Sequence, residues 1–470
     1  MKKVFLAVIF IVFTAGSGFA QGFQGSWNGT LNAGGAKLRI VFHVEEKSGA
    51  YTATMDSPDQ GAKGIPVTAV EVNSNTINLK IDHLAMAYAG TLTGNTLAGT
   101  FTQGGFSTSL NMERGAAPEA KRPQDPQPPY PYYSENITFE NKAAGITLAA
   151  TLTFPKEGRH FPAVALISGS GPQNRNEEVV QFNHRPFLVL SDYLTRHGVA
   201  VLRYEDRGVA ESGGNYKTAT LDDFASDALA AVDYLRTRPE MNPGKIGLVG
   251  HSEGGTIAFL LAGAHPEIAY IVSLAGMSVN GDSLLRTQRR LLSLAQGIPD
   301  EAITLNEQLI EKTTAMIGHY PAEFVAAHID SLTERFWVAE KPLIERWKRV
   351  FPDTLSDEAL RKKIKTGLVQ LSSTELRSLL QCDPSKALTK IQCPVFALNG
   401  EKDLQVPADM NLNHIEAQVK SALKVKKYPG LNHLFQHAGT GAIEEYAVIE
   451  ETISPEVLED IAAWIVQTTK

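Results

Sequence analysis

Cysteine is almost missing: Cys382 and Cys393 are the only two in 470 residues. Two thiols cannot staple a scaffold, so a disulfide-dependent fold is excluded. An oxidising compartment would permit a bond between them, but the favoured reading is two small buried hydrophobes. A surplus of positive charge is missing too. Lysine and arginine total 44 against 51 aspartates and glutamates, a net charge of −7. That balance offers no electrostatic footprint for nucleic acid or an anionic membrane surface. No block of like charge forms an interaction tail. Beyond the first twenty residues no apolar run approaches the roughly 20 residues that cross a bilayer, so no membrane span is expected.

Those first residues differ from the rest. Lys2 and Lys3 precede the apolar run Val4–Phe13, and small residues then lead to Gly18-Phe19-Ala20-Gln21. A positive start, a short apolar stretch and a small-residue cleavage site define a secretory signal, with the cut after Ala20. The run is too short for a membrane anchor, and no cysteine follows it to carry a lipid. Residues 1–20 are therefore expected to be a signal peptide, and the mature chain to be periplasmic or secreted.

The remaining length exceeds one hydrophobic core, so two or three domains are expected. From 21 to 115 the pattern is all-β. Leu38, Ile40, Phe42 and Val44 recur with period two, as do Ile77, Leu79 and Ile81, and glycines at Gly34-Gly35, Gly61, Gly94 and Gly104-Gly105 punctuate them. A small barrel or sandwich follows, and it holds no catalytic constellation. Pro118, Pro123, Pro126, Pro128, Pro129 and Pro131 then crowd a short stretch, which reads as an extended, semi-stiff linker over 116–134.

From 135 to 470 short apolar runs alternate with helical segments. Strands are expected near 146–154, 161–168, 199–204, 246–249, 270–274, 394–398 and 423–428, with helices near 221–237, 254–264, 408–419 and 455–467. Such alternation implies a mostly parallel sheet with helices on both faces. One block, about 277–388, has amphipathic helices such as 284–294, 301–316 and 324–338 but no good strand. Ser372 with Glu375 resembles a capping box opening the last of its helices. An all-helical insertion between two strands reads as a cap over the C-terminal edge of the sheet.

Gly250-His251-Ser252-Glu253-Gly254 carries the chemistry. Alone, a G-x-S-x-G match is weak among 39 glycines. Here a β-like run, 245–249, precedes it and a helix-like run, 255–262, follows. Such a turn exposes a serine hydroxyl, and the helix N-terminus sets backbone N–H groups beside the reacting oxygen. Serine needs a base, and the base an orienting acid. Asp403 follows one downstream strand and His433 the next, so both can converge on Ser252 from one sheet edge. Glu401 is a weaker alternative for the acid, and His437, expected inside a following helix, for the base. His251 is expected to point away from the hydroxyl and pack locally. The oxyanion donors are expected to be the N–H groups of Glu253 and of Ser170, with Gly171 as runner-up, because Ser168-Gly169-Ser170-Gly171 ends an earlier strand. Residues 173–176 and 203–208 read as braces for these loops.

Ser168-Gly169-Ser170-Gly171-Pro172-Gln173, Arg203-Tyr204-Glu205-Asp206-Arg207-Gly208, Gly250-His251-Ser252-Glu253-Gly254-Gly255, Gly400-Glu401-Lys402-Asp403 and Asn432-His433 occur in that order. Together they resemble the α/β-hydrolase superfamily, in particular its secreted bacterial esterases and serine aminopeptidase-like hydrolases, over about 135–470. The resemblance implies an eight-stranded sheet and an acyl-enzyme mechanism that uses no metal and no cofactor. Ser168 departs from many relatives, whose oxyanion loop carries His. The expected function is an exported carboxylesterase acting on small or medium acyl esters, such as acylated sugars or phenolic esters. The alternatives are a peptidase releasing N-terminal residues, which an acidic patch in the cap would favour, and an envelope- or glycan-binding protein with secondary hydrolase activity.

Overall fold

The computed structural model describes residues 22–33, 36–58, 62–104, 106–115, 121–351 and 356–470. The signal-peptide reading falls outside them, as do the turns at Gly34-Gly35, Gly61 and Gly105 and the opening residues of the Pro-rich stretch.

Residues 25–114 form a ten-stranded antiparallel sheet, β1 (Gly25–Ala33) to β10 (Met112–Arg114). Period-two patterning works as expected: Ile77, Leu79 and Ile81 of one strand turn inward with Phe42, Trp27 and Tyr88 into one apolar core. The strands at the two ends of the sheet are β4 (Ala62–Pro66) and β5 (Ala69–Asn73). Two residues join them, a reach of roughly 10 Å, so the sheet must curl until its edges meet. Val67 N–H donates to Ala53 on one edge and Thr68 N–H to Lys80 on the other, stitching the seam.

The described part of the Pro-rich stretch, 121–131, is neither helix nor strand, and it is hydrogen-bonded to the rest of the chain. Arg122, buried, donates to the Phe182 carbonyl at 2.8 Å and to that of Ile449, and Gln124 donates to Ile453 at 2.7 Å. Tyr132, Tyr133 and Ser134, expected in the linker, instead open the strand β11 (Tyr132–Asn141) and pair with Pro155, Phe154 and Thr153.

A second sheet has eight strands in the order β11, β12 (Ile146–Pro155), β14 (Ala200–Tyr204), β13 (Phe161–Ile167), β15 (Met241–His251), β16 (Ile271–Leu274), β17 (Val395–Gly400) and β18 (Leu423–Tyr428). β11, β12 and β14 pair antiparallel; every pair from β14 to β18 is parallel. Strands β14, β16 and β17 are buried along their whole length, which is why they read as unbroken apolar runs. Helices fall into two packed groups, α1 (Pro186–Arg196) with α13 (Pro455–Thr468), and α2 (Leu221–Thr237) with α3 (Glu253–Ala264), as two covered faces require. With α12 (Ala408–Gln418) between β17 and β18, this is the α/β-hydrolase arrangement. Neither β11 nor α1 is expected from sequence patterning. Among the described residues no helix is long and apolar enough to cross a membrane.

Among the described residues, eight helices, α4 (Gly281–Ala295) to α11 (Ser385–Leu388), lie between β16 and β17. The expected helix over 324–338 is two, α6 (Ala322–Ala327) and α7 (Ile329–Ala339). His328 breaks it, with ψ at 18°, its ring stacked on Phe324 and its Nδ1 competing for the Phe324 carbonyl at 2.9 Å. The capping serine of α10 (Thr374–Gln381) is Ser373 rather than Ser372: its hydroxyl accepts from Leu376 N–H, whereas Ser372 ends α9 (Asp357–Ser372). Glu375 is then free to reach elsewhere.

Candidate active site

Parallel pairing decides which loops meet. Ile167 of β13 lies opposite Gly250 of β15, so the Ser168 loop and the Ser252 turn leave the same sheet edge. Asp403 follows β17 and His433 follows β18, whose register also runs in parallel to that edge.

Ser252 holds φ 52°, ψ −118° between β15 and α3. A serine in this region is strained, and such strain persists only where its surroundings enforce it. They do so through glycine. A Cβ on Gly250 would come within 2.0 Å of the Gly254 carbonyl oxygen, and one on Gly254 within 2.1 Å of that of Ile167. The turn therefore packs backbone on backbone. The half-buried Ser252 hydroxyl makes no hydrogen bond among the described residues, while its N–H donates to Leu274 at 2.8 Å.

His433 Nδ1 is 2.7 Å from Asp403 Oδ2, and both side chains are buried. Asp403 Oδ1 accepts from Gln405 and Val406 N–H, each at 2.8 Å. This carboxylate is fixed on both oxygens, which fixes the imidazole in turn. The alternatives stand elsewhere. Glu401 is exposed and accepts from Gly430 N–H; His437 pairs with Glu451 at the surface and lies in a bridged loop opposite Leu431 rather than in a helix.

The loop after β13 spends its N–H groups unevenly. Gly169 N–H donates to Glu177 at 2.6 Å, Gly171 N–H to Glu375 at 3.0 Å, and Gln173 N–H to Asp206 at 2.9 Å. Ser170 N–H has no partner among the described residues, nor has the N–H of Glu253 at the first position of α3. These are the two donors expected from sequence. The runner-up, Gly171, is occupied by a carboxylate from the helical insertion.

Three side chains organise this edge in ways that sequence reasoning missed. Glu177, itself at φ 51°, accepts from Gly169 N–H and from His251 Nδ1 at 2.8 Å. His251 Nε2 is 3.1 Å from the His433 carbonyl oxygen. Instead of packing only locally, His251 thus ties the Ser168 loop to the His433 loop. Burial pushes its pKa down, but the Glu177 carboxylate and its hydrogen bond outweigh that and raise it overall. A positive-φ glutamate directly after a brace segment carries no sequence signature. The third is Glu375, which also accepts from Tyr216 OH at 2.6 Å.

Asp206 braces the loop, accepting from Ser168 OH at 2.9 Å as well as from Gln173 N–H; burial pushes its pKa up to about 7 despite those bonds. Arg175 packs into Glu205 at 3.0 Å and Arg207 into Asp223 and Asp227, each at 2.7 Å, so both expected brace segments serve that role. Glu253 is different. Its carboxyl is more than nine-tenths buried with no hydrogen bond among the described residues, and burial, then Glu375 and Asp206, push its pKa up to about 8. It lines a cavity of about 10 Å³ with Gly169, Gly171, Asp206 and Tyr216, room for about one water. Among the described residues no cluster of His, Cys, Asp and Glu has metal-binding form.

The model of the family described as X-Pro dipeptidyl-peptidase (S15 family) matches residues 144–437. Esterase EstD of Thermotoga maritima is 24% identical over 353 residues, covering 72% of this chain and 70% of that protein. The bifunctional esterase/perhydrolase DCH of Acinetobacter calcoaceticus is 24% identical over 268 residues, covering 55% and 86%. Among solved structures, Est1E of Butyrivibrio proteoclasticus with ferulic acid bound superposes with a TM-score of 0.41 at 18% identity, over 71% of this chain and 98% of that one.

Proposed function

The chain belongs to the X-Pro dipeptidyl-peptidase (S15) family and is a serine hydrolase, and from that premise we propose that it is an exported carboxylesterase cleaving small or medium acyl esters with Ser252, His433 and Asp403. The Ser252 turn carries this reading: a strained serine with an unbonded hydroxyl, between a parallel strand and a helix N-terminus. In the reaction, Ser252 Oγ attacks the ester carbonyl as His433 Nε2 takes its proton. Asp403 holds the imidazole with Nδ1–H inward and stabilises the imidazolium. The oxyanion rests on Ser170 and Glu253 N–H, preformed donors with nothing else to bind. The alcohol leaves with the proton from His433. Water, activated by the same imidazole, then splits the acyl-enzyme.

In this reading the helical insertion, about 277–388, is a cap. Glu375 supports it, because that side chain reaches from α10 to the Gly171 N–H. Export rests on the pattern of residues 1–20. The division into an all-β domain at 21–115, a linker at 116–134 and a catalytic domain at 135–470 is supported by the separate apolar cores of the two sheets.

A second reading, peptidase action on substrates with a free amino group, is favoured by one observation. Glu375 from the insertion and Asp206 each lie close enough to the unpartnered Glu253 for their charges to interact with it, and an ammonium group is what three clustered carboxyls would accept. Hydrolysis of a p-nitrophenyl ester series beside aminoacyl p-nitroanilides, with wild type and Ser252→Ala, separates the two. Preferred ester turnover that vanishes in the variant supports the esterase. Preferred amide turnover, lost on N-acetylation of the substrate, supports the peptidase. Activity that survives in Ser252→Ala defeats both.

A further inference from the structure

The helical insertion is not packed solid. Helices α5 (Asp300–Ile317), α7, α8 (Lys341–Val350) and α9 surround a cavity of about 150 Å³, where protein interiors hold few voids larger than a water molecule. Its walls are mostly apolar, with Leu309, Ile310, Phe336, Ile344, Leu360 and Ile364.

Three observations separate this space from a packing defect. Gly367 stands on its wall in the interior of α9. A Cβ there would meet nothing within 4 Å, and its φ lies outside the left-handed region. Neither crowding nor backbone geometry requires glycine, and helix propensity opposes it; its effect is to leave the space open. Trp347 also lines the cavity, is more than nine-tenths buried, and has an indole N–H with no hydrogen-bond partner among the described residues. A buried donor in that state is unfavourable until an acceptor arrives. Lys363 stands on the same wall, its ammonium 5.7 Å from the Phe351 ring centroid, and Phe351 stacks on Trp347 at 4.2 Å. Among the described residues no wall residue is acidic and no carboxylate pairs with Lys363.

An apolar chamber with a cation and an unused N–H donor fits one chemistry. An engineered apolar cavity of about 150 Å³ accommodates benzene, and a chain of about six to eight carbons has comparable bulk. We infer that this cavity binds a medium-chain aliphatic carboxylate, its chain among the leucine and isoleucine side chains and its carboxylate on Lys363 and the Trp347 N–H. None of the wall residues belongs to the loops that carry Ser252, Asp403 or His433, so this is a second site. It stands independently of the esterase reading, although an esterase releases acids of this class.

The test is calorimetric titration of the full chain with octanoate, octanol and acetate, before and after a phosphonate blocks Ser252. One saturable octanoate site that survives the block is expected, with no acetate binding. Lys363→Ala should weaken octanoate about tenfold, the loss of one charge-assisted contact, and leave octanol unchanged. Gly367→Leu, checked for folding by circular dichroism, should abolish binding, and the smaller Gly367→Ala should weaken it while raising Tm. No saturable octanoate binding to wild type, its loss on blocking Ser252, or unchanged affinity in Gly367→Ala would overturn the assignment.

Discussion

Replacing Glu177 by alanine should disturb both stability and catalysis, in a pH-dependent way. The carboxylate accepts from Gly169 N–H at 2.6 Å and from His251 Nδ1 at 2.8 Å, and both side chains of the pair are about nine-tenths buried or more. Its loss strands an imidazolium and a loop N–H in the interior. Breaking a buried ion pair from one side costs about 3–5 kcal/mol, or about 4–7 °C in Tm at the unfolding entropy of a unit this large. The Ser170 donor lies next to the released Gly169, so kcat should fall at least about tenfold, part of the loss seen when an oxyanion donor is removed outright. The sign of the pH effect follows from His251, whose pKa is raised in the folded state. A raised histidine contributes its full stabilisation below the unfolded value of about 6.5 and loses it as pH rises through the folded value. The Tm gap between wild type and Glu177→Ala, measured by differential scanning calorimetry, should therefore be wider at pH 6 than at pH 9. Glu177→Gln keeps an acceptor for Gly169 and should recover part of kcat without the pH dependence. An identical Tm gap at both pH values, or an unchanged kcat, would mean that Glu177 does not act through His251 and the Gly169 loop.

Glu375→Gln should leave ester turnover within about twofold but lower kcat/KM for substrates with a free amine at least about tenfold if the carboxyl cluster takes an ammonium group; equal effects on free and N-acetylated substrates would count against it. Asp206 and Glu253 have acid pKa values pushed up to about 7 and about 8, so the folded state holds their protons longer than the unfolded state does. Stability should fall as pH rises from about 4 to 8, and Asp206→Asn should flatten that profile in thermal melts. Cys382 and Cys393 are free and buried, and burial pushes their thiols up to about 12 and about 11. Ellman's reagent should therefore find no reactive thiol in the native protein and two after denaturation.

What the sequence exposes and what it hides follow different physics. Strands β14, β16 and β17 are legible because a sheet covered on both faces demands continuous apolar runs. The Ser252 turn is legible because close backbone approach at Gly250 and Gly254 admits no side chain. Asp403 and His433 are legible because parallel strands deliver their following loops to one edge. β11 is hidden because its outward residues are polar and it follows prolines. The break at His328 depends on a ring stacking one turn back, which helical periodicity does not report. Glu177 and Glu375 are hidden for a stronger reason. Each acts on a loop brought to it only by the tertiary fold, the latter from 204 residues away along the chain, and a lone surface-type glutamate in sequence looks like any other. Shifting the cap of α10 by one residue, from Ser372 to Ser373, is a small change locally, but it frees Glu375 to reach the oxyanion loop.

The proposed mechanism makes Ser252 the nucleophile, poised by His433 and Asp403. Incubation with a fluorophosphonate, followed by peptide mass spectrometry on wild type, Ser252→Ala and His433→Ala, tests it directly. One label per chain is expected on the peptide containing Ser252, none in Ser252→Ala, and labelling slowed at least about a thousandfold in His433→Ala. A label on another residue, or wild-type labelling rates without His433, would contradict it.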